Sequence, residues 1–203
     1  MTFSQRFNSI FDRTVEDYHK QDNVDALVHN PYEVKSLDHM LYHKNWIDTV
    51  QWHLEDIIRD PSIDPVEALR IKRRIDKSNQ ERTDLVEEID QYFIGIYSSV
   101  TPDKNARLNT ETPAWAIDRL SILALKIYHM RAESLREGAT SEHKKACLLK
   151  LQVLLAQRED LSGAIDNLLE EIAVGVKIIK SYKQMKMYND PSLNPVLYSG
   201  GKG

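Results

Sequence analysis

Asn45-Trp46-Ile47-Asp48-Thr49-Val50-Gln51-Trp52-His53-Leu54-Glu55-Asp56-Ile57-Ile58-Arg59 reads as four turns of helix. Traced back to Met40 and His43, its seam runs through Ile47, Val50, Leu54 and Ile57 in alternating steps of three and four. That is the spacing of a helix-bundle seam. At roughly 100° per residue, a second stripe through Asn45, Thr49, Trp52, Asp56 and Arg59 lies nearly opposite the first. The stretch is therefore expected to touch two partners, one apolar and one polar. His53 sits on the flank between seam and stripe, with Trp46 near it.

Working outward, Ser36 caps this helix, which is expected over 37–60 and stops at Asp60-Pro61. Before it, residues 3–20 carry Phe3, Phe7, Ile10, Phe11, Val15 and Tyr18 among charges, a short amphipathic helix; residues 21–34 read as a connector. After it, Asp64-Pro65-Val66-Glu67 is a strong start signal for a helix running to about Tyr97. Its seam is Ile75, Asn79, Arg82, Val86, Ile89, Phe93 and Ile96. Residues 98–112 form a long loop carrying Lys104 and Arg107, of a length that is often functional.

Thr112-Pro113 opens the next helix, expected to end near Glu137 at Gly138. It has one seam through Ile117, Leu120, Ala124, Ile127 and Arg131 and a second stripe through Asp118, Ile122, Leu125 and His129, with Lys126 adjacent. A final helix from Thr140 or Ser141 keeps its spacing from Cys147 through Arg158 to Tyr182, and is expected to reach Tyr188; the tail beyond Asn189 reads as coil. The expectation is an all-α protein: an up-down four-helix bundle of long helices with a short N-terminal amphipathic helix, one domain over 1–203.

Composition sets limits on function. With 203 residues, 41% hydrophobic and 29% charged, the chain can bury a sizeable core. A net charge of −4 is too mild to point to nucleic acid, and no run approaches the apolar length of a membrane span. A single Cys147 excludes an intrachain disulfide, and no signal peptide is legible, so the cytoplasm is the expected location.

Two seam positions are out of character. Arg82 and Arg158 each stand where apolar neighbours define the pattern, and a guanidinium cannot shed its charge when buried. Each either pairs with a carboxylate, for which Glu55, Asp56, Asp90 and Asp118 are the candidates, or lines a pocket for phosphate or carboxylate. Asn79, one turn before Arg82, adds donors and an acceptor. Trp52 needs a cover: the N-terminal helix, the second stripe of the 113–137 helix, another subunit or a ligand. If that stripe meets it, His53, Asp56, Asp118, Lys126 and His129 converge. His53 and Asp56 are the proton-transfer candidates, although an isolated histidine is more often a hydrogen-bonded core residue.

No glycine-rich phosphate loop, zinc-type Cys/His spacing or paired Glu-x-x-His is present, so no metal and no cofactor are expected. Glu87-x-x-Asp90 matches half of the acidic pattern of helical Mg-dependent pyrophosphohydrolases, but Ile58 stands where the other half needs an acid after Glu55.

Several runs together carry a resemblance. They are Asn45-Trp46 with Trp52-His53-x-Glu55-Asp56-x-x-Arg59, Asn79-x-x-Arg82-x-x-Leu85, Glu111-Thr112-Pro113 with Ile117-Asp118-Arg119-Leu120-Ser121-Ile122-Leu123-x-Leu125-Lys126, and Lys186-Met187-Tyr188-Asn189-Asp190-Pro191. The chain resembles a bacterial all-helical family of unknown function, number 4254 among such domains. That resemblance implies a role near cell-surface glycan assembly and supplies no catalytic residue. Three functions remain open: recognition of an anionic small molecule such as a sugar phosphate or nucleotide sugar, a non-enzymatic scaffold or accessory protein that self-associates as a homo-oligomer, or, on the half-matched acidic pattern, a Mg-dependent nucleotide pyrophosphohydrolase-like enzyme.

Overall fold

The structure, a computed structural model, describes residues 1–184, 187 and 190–199. It is all-α, with one two-residue-per-strand exception. Helices α1 (Phe3–His19), α2 (Leu37–Ile57), α3 (Pro65–Ile96), α4 (Pro113–Leu135) and α5 (Ser141–Ala173) make the body.

Local chemistry sets the starts. Thr2 and Gln5 form a reciprocal capping box on α1, Ser36 caps α2, Asp64 accepts from Val66 and Glu67 N–H on α3, and Thr112 and Thr140 cap α4 and α5. Asp90 of α3 also accepts from Ala114 N–H at 3.1 Å, which ties the start of α4 to α3. Glu87 accepts from Gln184 N–H, so both acids of Glu87-x-x-Asp90 have structural duties.

The N-terminal helix belongs to the core. Phe7, Phe11 and Tyr18 are fully buried in the same cluster as Leu41, Trp46, Phe93, Ile117 and Leu169. A polar seam then pins α1 along α5: Asp166 accepts from Ser4 N–H and Oγ–H at 2.9 and 2.6 Å, and Asn8 donates to Ser162 Oγ at 2.9 Å. In the N-terminal half of α2, Leu37, Met40, Leu41, Tyr42 and every residue from Lys44 to Thr49 are buried. Only Asp38, His39 and His43 of that half are less than fully buried, and α2 packs against α1, α3 and α4.

The long last helix ends fifteen residues early, at Ala173 rather than Tyr188. Gly175 stops it by adopting φ +79°, and a Cβ there would stand 2.8 Å from the Thr101 carbonyl oxygen. The chain then runs beside the 98–112 segment. Asp103 N–H donates to Gly175 at 2.9 Å, and β1 (Arg107–Leu108) pairs in parallel with β2 (Lys177–Ile178). Loop 98–112 is therefore clasped to the end of α5. The expected coil tail contains a five-residue helix, α6 (Pro195–Ser199). Lys186, Tyr188, Asn189, Gly200 and Gly201 lie outside the described residues. Among the described residues, no helix is long and apolar enough to cross a membrane.

Candidate functional site

Four charged side chains from three helices meet in the body of the protein. Lys44 of α2 is 0% exposed. Its ammonium contacts Asp48 Oδ2 one turn along and Asp118 Oδ1 of α4 at 2.6 Å, and it faces the Asp118 carbonyl at 3.4 Å. Arg82 of α3 completes the square, with Nε 2.8 Å from Asp48 Oδ1 and Nη2 2.8 Å from Asp118 Oδ1. Ser121 donates to Asp48 Oδ2 at 2.6 Å and itself accepts from Asn45 Nδ2 at 2.8 Å. Two cations balance two anions. At Asp48 burial dominates and raises the pKa above the usual carboxylate value, with Lys44 and Arg82 countering only part of that shift. At Asp118, burial also works against ionisation, but Lys44 and Arg82 prevail and hold its pKa below the usual carboxylate value.

Arg82 is thus committed at Nε and Nη2, the ion-pair alternative of the sequence analysis. Asp118 was among the expected partners; Asp48 was not. Arg158 resolves the same way at a different place. It grips Asp12 of α1 bidentately, at 3.0 and 2.6 Å, and donates through Nε to Asn8 Oδ1 at 2.8 Å. It has no partner in common with Arg82 and fastens α5 to α1.

A cleft of about 380 Å³ opens beside the charged layer, lined by Asp48, Gln51, Trp52, Glu55, Asp56, Arg59, Arg82 and Ile122. The sequence-derived candidates Trp52, Asp56, Arg59 and Arg82 are therefore together. Asn79 stands just behind, accepting from Gln51 Nε2 at 3.0 Å. Arg59 pairs with Glu55 at 3.1 Å, and the Arg82 guanidinium lines the cleft while paired with Asp48 and Asp118. The lining holds three carboxylates and two guanidiniums, so it is not a plain anion pocket. Lys126 lines a neighbouring groove of about 350 Å³ with Asp118, Arg119, Leu123 and Gln157, which shares Ile122 with the cleft.

Trp52 is covered as one alternative required. His129 of α4 stacks on it, centroids 4.9 Å apart and planes 7° from parallel. His53 meets the same imidazole at 5.4 Å. The third member is His19 of α1, whose Nε2 is 3.3 Å from His53 Nε2. Burial lowers the His129 pKa to about 4, with His19 and His53 adding to the effect, and burial likewise lowers that of His53. Asp56 acts on both from the cleft side. His53, His129 and Asp56 thus come together as expected, whereas Asp118 belongs to the charged layer and Lys126 to the groove.

Lys44, Asp48, Asn45 and Ser121 were not legible in the sequence as a network, and neither was the part played by His19. Lys44 and Asp48 do stand at i and i+4, but such pairs usually mark an exposed face. The histidines come from three helices, so no local spacing reveals them.

Fold and site define an all-α protein with a neutral buried charge layer at the floor of an aromatic-walled cleft. Residues 38–181 match the family described as "Protein of unknown function (DUF4254)", and the chain belongs to that family. Neither curated proteins nor solved structures provide a match.

Proposed function

We propose that the cleft along α2 binds a small polar molecule bearing both hydroxyls and an anionic group, of which a sugar phosphate or nucleotide sugar is the model. The observation that carries this is the partly exposed Arg82 side chain, 23% accessible, in a cleft walled by the Trp52 ring. An indole offers a face to a sugar or base, Glu55 and Asp56 accept from hydroxyls, and the guanidiniums of Arg82 and Arg59 suit phosphate. The anion-only reading loses support because Asp48 and Asp118 already neutralise most of Arg82.

Calorimetric titration with sugar phosphates and nucleotide sugars tests this. Arg59 is exposed and holds nothing in the core, so Arg59→Gln should weaken an anionic ligand roughly tenfold, about 1.4 kcal/mol, without changing the melting point. Trp52→Phe, which keeps a ring against His129, should weaken it further. If neither ligand class gives heat at millimolar concentration, the proposal fails.

One observation favours self-association as a second reading. On α5, Leu149 and Val153 are one turn apart and 58% and 57% exposed, flanked by exposed Leu148 and Leu155. An apolar stripe of this kind suits a second copy. The wild-type chain should then sediment as a dimer at high micromolar concentration, and Leu149→Glu with Val153→Glu as a monomer of unchanged helicity. A monomeric wild type would end this reading.

A further inference from the structure

We propose that His19, His53 and His129 form a binding site for a divalent first-row transition metal, with zinc as the reference ion and one coordination position left to water. Each imidazole offers one nitrogen, and the three lie within 4.8 Å of one another. A tetrahedral ion with Zn–N bonds of about 2.0–2.1 Å sets its ligand nitrogens about 3.3 Å apart. The His19 and His53 Nε2 atoms are already at 3.3 Å. His129 closes the triad with a modest ring movement.

Three features go beyond proximity. The first is the tautomer of His19. Its Nδ1 faces the Val15 carbonyl at 2.7 Å, and a carbonyl only accepts, so Nδ1 carries the proton and Nε2 presents its lone pair. A backbone carbonyl on the far ring nitrogen is the usual outer support of a metal-binding histidine. The second is an orphan: His129 Nε2 is buried without a hydrogen-bond partner. Such an atom is costly unless something binds it. The third is rigidity. Every ring is held by its own aromatic neighbour: Tyr18 on His53 at 5.1 Å, Tyr128 on His19 at 4.1 Å and Trp52 on His129 at 4.9 Å. Ligands fixed this way lose little freedom on binding.

The donor set selects the ion class. Three neutral nitrogens suit zinc, copper, nickel, cobalt or iron, whereas magnesium and calcium demand oxygen. Asp22 places a carboxylate oxygen 3.9 Å from His53 Nε2, adding negative potential at the rim. Three protein ligands with an open position are the composition of reactive rather than purely structural zinc sites. Trp52 connects this centre to the cleft, with His129 on its face and the cleft beside it. The metal proposal stands whatever the cleft binds.

The test uses the whole chain, stripped with a chelator and equilibrated with Zn²⁺ or Co²⁺. Wild type should hold one zinc per chain by elemental analysis, give the visible cobalt bands of a nitrogen-rich four-coordinate site, and melt higher with zinc than without. His19→Gln, His53→Gln and His129→Gln should each weaken zinc on the order of 100-fold, about 2.8 kcal/mol. His143→Gln removes the imidazole beside Cys147 and should leave occupancy unchanged. Metal-free circular dichroism checks that the variants fold. A wild type that retains no zinc overturns the proposal even if every variant misfolds. So does folded His53→Gln that binds as tightly as wild type, or loss of zinc in His143→Gln alone.

Discussion

Lys44→Met is expected to cost about 3–5 kcal/mol, since it leaves a buried carboxylate without its counter-ion. For a chain near 200 residues that corresponds to a fall in melting temperature of roughly 10 °C. Methionine fills much of the space vacated by the lysine stem, so packing loss is minor and the charge is what is measured. The proof lies in the pair: Lys44→Met combined with Asp48→Asn restores balance, because Arg82 and Asp118 still match and the new amide keeps partners in Ser121 and Arg82. The double variant should recover most of the lost stability. Thermal unfolding of wild type, both singles and the double closes the cycle. Additive losses would show that the layer is not held as a charged square.

Phe11→Ala is the second large effect, about 3–5 kcal/mol, on the scale of emptying a phenylalanine site in a packed core. Phe11 is 0% exposed and belongs to the main cluster with residues from all five long helices. The family match begins at residue 38, so α1 lies outside it. Were α1 an accessory arm, truncating its ring would cost little, and urea unfolding would show two separate transitions. A single transition shifted to lower urea is expected.

The helix starts were legible because a cap is a local device. Ser36, Asp64-Pro65, Thr112-Pro113 and Thr140 each satisfy N–H groups a few residues away, so the sequence window contains the whole interaction. The end of α5 was not. Ile179 and Tyr182 preserve the apolar spacing beyond Ala173, and what breaks the helix is the left-handed turn at Gly175 together with strand pairing to Arg107–Leu108 seventy residues away.

The site divides along the same line. Trp52, Asp56, Arg59 and Arg82 were found together because three sit on one stripe of α2 and Arg82 interrupts an apolar seam. Lys44 and Asp48 were not singled out, since their burial depends on α3 and α4. Arg158 was rightly singled out as anomalous, yet its partners Asn8 and Asp12 lie on α1, 150 and 146 positions away in sequence. His19 shows the limit most plainly. Nothing about it is unusual until α1, α2 and α4 are assembled.

The charged square has a consequence for how the chain reaches this arrangement. On α2 alone, Lys44 and Asp48 cancel. Docking α3 onto α2 adds Arg82 and encloses a net positive charge; docking α4 instead adds Asp118 and encloses a net negative one. Either two-helix intermediate must dehydrate an unbalanced ion or neutralise a carboxylate by protonation, a cost that the third helix removes. The layer therefore acts as an assembly checkpoint. It penalises stepwise collapse and favours the joint docking of α2, α3 and α4, the helices whose residues line the cleft.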